Sequence, residues 1–307
     1  MKRLWIAGVA AVAVGTVMFG AGFAVSGFNI RALDTEQPLE EKTMVLETLP
    51  SAVEITEAMG DIRLGISQDN RIHLTYFENT EEFYEIENNV KFSMEKKNEK
   101  PWYRRMFNFS FGSSDCALTI LLPEQFVGDV RVTTGSGGIS GENMNMGNFW
   151  AKSGNGDVRL HRVTAERGIE MMTGSGDISL ENIVSTGDIR CNSWNGSVQY
   201  KNIHGENIYG ETANGDMRYG EVYAKNTFLV KSDNGSIQLQ EVSAEELMEM
   251  TTGSGDISGS ILGEIGDYTI DAKTVNGDNT LPEKMPGGSK ILRVKSGNGE
   301  INITFTE

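Results

Sequence analysis

Residues 152–180 read KSGNGDVRLHRVTAERGIEMMTGSGDISL, and this stretch holds two copies of one unit. SGNGDVRL occupies Ser153–Leu160, and TGSGDISL occupies Thr173–Leu180. Working outward, the same unit recurs nine times, centred on Gly137, Gly156, Gly176, Gly196, Gly215, Gly235, Gly255, Gly277 and Gly299. The spacings are 19, 20, 20, 19, 20, 20, 22 and 22 residues. A fixed period near twenty marks a repeat architecture.

The columns say more than the period. Ser or Asn precedes every central Gly. These dipeptides favour turns, because both residues tolerate positive φ and the short side chain bonds nearby backbone. Three residues before the Gly stands Ser or Thr in every unit: Thr134, Ser153, Thr173, Ser193, Thr212, Ser232, Thr252, Thr274 and Ser296. Seven before it is always a large apolar residue, such as Ile189 or Phe228. The position five before is apolar or small, as in Cys191, Gly210 and Val230. Two after the Gly the residue is apolar except at Asn279, and three after it is polar, as in Arg159, Gln199, Arg218 and Gln238.

Alternation with period two means strand with one face buried. Two architectures fit. In a hairpin meander, the Asn-Gly pairs would be two-residue loops. In a β-solenoid, equivalent residues stack about 4.8 Å apart and the polar columns become ladders. Only the solenoid gives a reason for identical polar residues in every unit, so the expectation is all-β: about nine coils of about twenty residues, a rod on the order of 40 Å long.

Four regions precede or form this rod. Residues 1–30 carry Lys2 and Arg3 before an uncharged run from Leu4 to Ile30. Its length favours a single transmembrane helix over a cleaved signal peptide, with the two basic residues inside the cell and the rest of the chain outside. Residues 31–43 are polar and acidic, a spacer. Residues 44–126 form an irregular β region with expected strands at Val53–Thr56, Asp61–Ile66, Arg71–Phe77, Val90–Met94 and Ala117–Leu122. Val53–Leu64 is an imperfect copy of the repeat, so this region reads as a cap on the rod of residues 127–307.

The formal net charge of −16 argues against nucleic-acid binding. One segment opposes it: KKNEKPWYRR, Lys96–Arg105, has five basic residues and one acid. Trp102, Tyr103, Arg104 and Arg105 are candidates for binding an anionic envelope polymer, lipid headgroups or a sugar. The plainer alternative is a long hairpin loop. No catalytic residue and no cofactor is expected. His73, His161 and His204 lie too far apart to be a metal triad by spacing. Acids follow the central Gly in six units, and stacking in sequence order would make neighbours of Asp256, Asp278 and Glu300, candidate Ca²⁺ ligands. The same acids also suit a solvated turn. Cys191 falls in an inward column, where packing alone accounts for it.

The apolar N-terminal run, the strand ending in Leu122-Pro123 and the TGSGDISL and SGNGDVRL units together resemble a bacterial family of unknown function, the putative adhesins, with Gly-rich β-strand repeats. The resemblance covers about residues 50–305 and implies a fold rather than a reaction. It brings no catalytic residues. The expected function is a membrane-anchored extracellular module that binds or displays at the cell envelope, its partner an envelope component, surface ligand or membrane protein. An accessory of envelope-stress regulation acting through a membrane partner is the alternative, and a polysaccharide-cleaving β-helix enzyme a third.

The columns make a direct test. Val230→Asp or Ile189→Asp should unfold the repeat region by burying an unpaired charge, whereas Gln199→Asp and Arg218→Asp should leave the thermal midpoint nearly unchanged. Equal effects in the two pairs would overturn the inward and outward assignment.

Overall fold

The computed structural model describes residues 38–98 and 116–307. The anchor expected over residues 1–30 lies outside them, and no helix among the described residues is long and apolar enough to cross a membrane.

The described chain is all-β, a solenoid of about eight regular turns with irregular rungs added at its ends. Each regular coil has three strand segments. The first runs into the Gly turn, the second leaves it, and the third follows a bend. In the middle of the rod the segments merge into long strands: β9 (Ile139–Ser153), β10 (Val158–Thr173), β13 (Val198–Asn214) and β14 (Met217–Asn234), with β11 (Ile178–Ser185), β12 (Asp188–Ser193), β15 (Ile237–Ala244), β16 (Leu247–Ser254) and β17 (Ile257–Leu262) between or after them. All pair in parallel and in register. Phe149, Ile169 and Ile189 stack in one column, and Ile139, Val158 and Ile178 in another. The solenoid is therefore the correct choice over the meander.

The inward columns expected from sequence form one continuous core. Val132, Ala151, Met171, Cys191, Val230 and Met250 are all buried. Gly210 shares this column, and a Cβ there would lie 2.1 Å from the Tyr219 hydroxyl. The missing side chain is the space that Tyr219 fills.

The Ser/Thr column is a hydrogen-bond ladder. Each hydroxyl donates to the carbonyl of the central Gly in the neighbouring rung. Ser153 bonds Gly137 at 2.8 Å, Thr173 bonds Gly156 at 2.8 Å, Ser193 bonds Gly176 at 2.8 Å and Thr212 bonds Gly196 at 2.9 Å. The glycines face each other closely, and a Cβ on Gly156 or Gly196 would sit 2.0 Å from the carbonyl oxygen of the next rung. No side chain fits there.

The bend six residues after the central Gly was not evident in the sequence. Asn143, Arg162, Asn182, Asn202, Glu221 and Glu241 all adopt left-handed φ of 54–57°. Asn is suited to this region, and Arg and Glu are not. Asn202 Nδ2 donates to Asn182 Oδ1 at 2.7 Å, a short ladder of its own.

At the N-terminal end, β2 (Ala52–Glu57) and β3 (Ile62–Ile66) make a rung that stacks on β8 (Asp129–Thr134) and β9. Gly60 accepts from Thr134 at 3.0 Å, as a central Gly should. Beyond this rung lie β6 (Lys91–Asn98) and β7 (Leu118–Leu122), parallel to it. Three antiparallel strands finish the end: β5 (Glu82–Asn88) on β6, and β4 (Ile72–Glu78) on β7 with β1 (Glu40–Leu46) outermost. Glu40–Thr43 thus belongs to a strand rather than to the expected spacer. Its side chains are largely exposed, and pairing with β4 holds it, a charged edge that discourages further pairing. Glu57 stands where later rungs carry Ser or Thr. It is buried, accepts from the Tyr84 hydroxyl and meets Lys96 Nζ at 3.4 Å. Lys96, the first residue of the basic segment, is thereby drawn inward.

At the other end the stacking departs from chain order. β18 (Tyr268–Asn276) does not lie on β16. Instead β20 (Lys290–Asn298) pairs with β16 on one side and β18 on the other, and β21 (Ile301–Thr306) lies on β17. The rung of Gly277 is therefore outermost. The short β19 (Lys284–Met285) folds back antiparallel on Ile270 and Asp271.

Gly196→Ala should cost about 3 kcal/mol or more in denaturant unfolding, because backbone must move to admit the methyl group. Glu221→Asn should instead raise stability by up to about 1 kcal/mol, by relieving a left-handed Glu.

Candidate functional site: a groove along the first-segment face

The acids after the central Gly have a structural use. Asp157 accepts from the amide of Asp177 at 2.8 Å, Asp177 from Ser197 at 2.8 Å, and Asp216 from Ser236 at 3.0 Å. Each carboxylate ties its rung to the next. Asp256 does the same for Glu300, at 2.8 Å. The order assumed from sequence is corrected here: Glu300 lies between Asp256 and Asp278, because its rung is the inserted one. Among the described residues no group of three or more His, Cys, Asp or Glu side chains is placed to hold a metal ion. Trp102, Tyr103, Arg104 and Arg105 lie outside the described residues. Arg159 and Arg218, of the polar column three residues after the central Gly, pair with Asp157 at 2.5 Å and Asp216 at 3.1 Å.

A broad concavity lies elsewhere, on the outer side of the first segments. It is an open groove of about 1040 Å³, continued by a second hollow of about 320 Å³ that shares Glu170 and Arg190 with it. The two hollows together follow the column six residues before the central Gly: Glu54, Arg131, Trp150, Glu170 and Arg190 in the main groove and Tyr209 in the second hollow, one from each successive rung. These side chains alternate in charge and ring character. The Arg131 guanidinium lies 4.4 Å from the Trp150 ring centre and 3.9 Å from Glu54. That of Arg190 lies 3.8 Å from the Tyr209 ring centre and 2.6 Å from Asp188. Cation–π contact and ion pair together fix each fork.

One wall comes from connections of the N-terminal cap. The loops before β2, before β6 and before β8 place Leu49, Val90 and Val127 along it, with Val90 78% exposed. At this end Arg167 pairs with Asp129, which also accepts from the Asn148 amide at 2.9 Å. Burial pushes the Asp129 carboxyl up, but the hydrogen bonds from Arg167 and Asn148 outweigh it and leave the pKa below the ordinary 3.8. Arg190 is held above its ordinary value because Asp188 outweighs burial. Four cationic and four acidic side chains line the main groove, so it is locally neutral in a chain of net charge −16.

Sequence reasoning missed this column because its residue types differ from rung to rung. One signal was present: Arg131 and Trp150 are 19 residues apart, as are Arg190 and Tyr209, so each Arg precedes an aromatic by one rung. The arrangement can recognise a ligand with fixed donors and acceptors. The Cys191 thiol beside it is buried, which pushes its pKa up to about 12 and keeps it unreactive.

In-register parallel coils tied by a hydroxyl-to-glycine column define a β-solenoid repeat protein. The chain belongs to the Toastrack family, DUF4097, whose model matches residues 50–307. Among solved structures it is similar to a putative adhesin from Parabacteroides merdae ATCC 43184, at 12% identity and a TM-score of 0.55, over 88% of this chain and 97% of the other. It is also similar to a putative lipid binding protein from Parabacteroides distasonis ATCC 8503, at 15% identity and a TM-score of 0.51, over 86% and 97%. These likenesses are of fold. No curated protein matches the chain in sequence.

The Asp129 carboxylate should contribute stability above its unfolded pKa and lose it as pH falls through the depressed folded value. The stability gap between the native chain and Asp129→Asn should therefore be present at pH 7 and close progressively below pH 3.8.

Proposed function

We propose that this protein is a non-enzymatic binding and display module of the cell envelope, held at the membrane by its N-terminal apolar segment, with the solenoid outside the cell. The observation that carries this reading is the groove. It runs lengthwise across successive rungs of a rigid stack and offers paired donors and acceptors. Its only nearby thiol is held protonated. The long apolar run of residues 4–25 and the basic pair before it support attachment and orientation. A putative adhesin and a putative lipid binding protein share this fold, which agrees with surface recognition.

The test is co-sedimentation of the full chain, in detergent, with purified cell-wall fragments. Saturable recovery in the pellet is expected, and chelation of calcium should not change it, because the turn carboxylates are engaged with backbone amides. No recovery with wall, together with specific cross-linking of the full chain to one membrane protein, would replace this reading with that of a regulatory accessory.

A further inference from the structure

We infer that the groove is a binding site for an extended, uncharged glycan lying parallel to the solenoid axis. This rests on the envelope-binding reading and narrows it to a ligand class.

Shape comes first. The two hollows touch strands from β6 to β14, eight rungs along one face, so the track is roughly 30 Å long at the usual strand spacing. It is open along that length. An extended polymer fits such a track, and a compact ligand would leave most of it empty.

The lining chooses among polymers. A peptide binds a sheet most readily by adding a strand to an open edge. On this face the backbone groups of each rung are already engaged by the rungs on both sides, so only side chains are on offer. An acyl chain needs continuous apolar surface, yet Glu170 and Arg190 separate the rings of Trp150 and Tyr209. A polyanion needs surplus positive charge, and the main groove has none, its four cations being matched by four acids.

An uncharged glycan meets all of these features. Its hydroxyls are donors and acceptors at once. They suit paired forks such as Arg190 with Asp188 and Arg167 with Asp129, which present N–H groups and carboxylate oxygens side by side. The apolar faces of its rings suit Trp150 and the wall of Leu49, Val90 and Val127. A pyranose ring is also about as long as one rung is high, so successive sugars meet successive members of the column.

The experiment is affinity electrophoresis of the full chain in detergent through gels containing dextran, yeast mannan or hydroxyethylcellulose. Parallel arms use gels containing sodium alginate and equilibrium dialysis with soluble glycerophosphoglycerol, the headgroup of phosphatidylglycerol without its acyl chains. Retardation by at least one neutral polymer is expected, insensitive to 0.5 M salt, in the manner of uncharged ligands (about that ionic strength screens surface charge within a few ångströms). Trp150→Ala and the exposed Glu170→Ala should each weaken it about tenfold. Arg218→Ala, on another face, should not. Unchanged thermal unfolding of Glu170→Ala would show that its loss is not one of folding.

Retention by alginate alone, binding of the lipid headgroup alone, or no retention by any of the three neutral polymers would overturn the inference. So would equal weakening by Arg218→Ala. If the chain sediments with wall fragments yet ignores every neutral polymer, the ligand class fails while the envelope-binding reading stands. If it does neither, both fail.

Discussion

The structure depends on one repeated contact: a Ser or Thr hydroxyl donating to the carbonyl of the central glycine one rung away. It works only because glycines lie over glycines with no room for a Cβ. The bond is modest by itself, about 1 kcal/mol. Repeated along the stack, it fixes which residue lies over which, and that registers the inward apolar columns and the carboxylate-to-amide ties beside it. Length variation is thereby confined to other parts of the coil. The 22-residue spacings near the C-terminal end arise from insertions far from the turn, at the 3-10 turn Ile265–Asp267 and around β19.

The fold was legible because the strongest constraints act identically in every rung. Thr134 to Ser296 could be aligned by eye, and an identical polar column has a physical reason only if the units stack. The bend at Asn143, Arg162, Asn182, Asn202, Glu221 and Glu241 was not legible, since three of these six residues are poor left-handed formers that neighbouring strands hold in place. The antiparallel caps follow no period, and the expected spacer hid the start of β1 because its side chains face water on an edge.

The terminal reordering was hidden for a different reason. The rungs of Gly277 and Gly299 satisfy the same columns, so either stacking order is consistent with them. The one departure, Asn279 in an apolar column, is the mark of the outer rung. There the chain turns instead of continuing as a strand, Asn279 accepts from the Leu281 amide at 3.0 Å, and Leu281 becomes buried. The groove shows the complementary limit. Sequence columns reveal positions where sameness is required, whereas Glu54 to Tyr209 work by alternation, each side chain complementing the one on the next rung. The basic segment stood out in the sequence, yet its two lysines within β6 are occupied, Lys96 with Glu57 and Lys97 with Glu85 and Glu95.

The insertion of β20 between β16 and β18 also bears on how such a rod is completed. Growth by simple addition would allow each coil to lock on the one before it. Here the coil of Gly277 has no seat until the coil after it has slipped underneath. Closure of this end therefore needs β20 in place between β16 and β18, and deleting the final strands would remove an interior rung instead of trimming the tip. The rod thus carries its own stop: the last coil to arrive is locked inside, and the outermost edge is the one already folded over by β19.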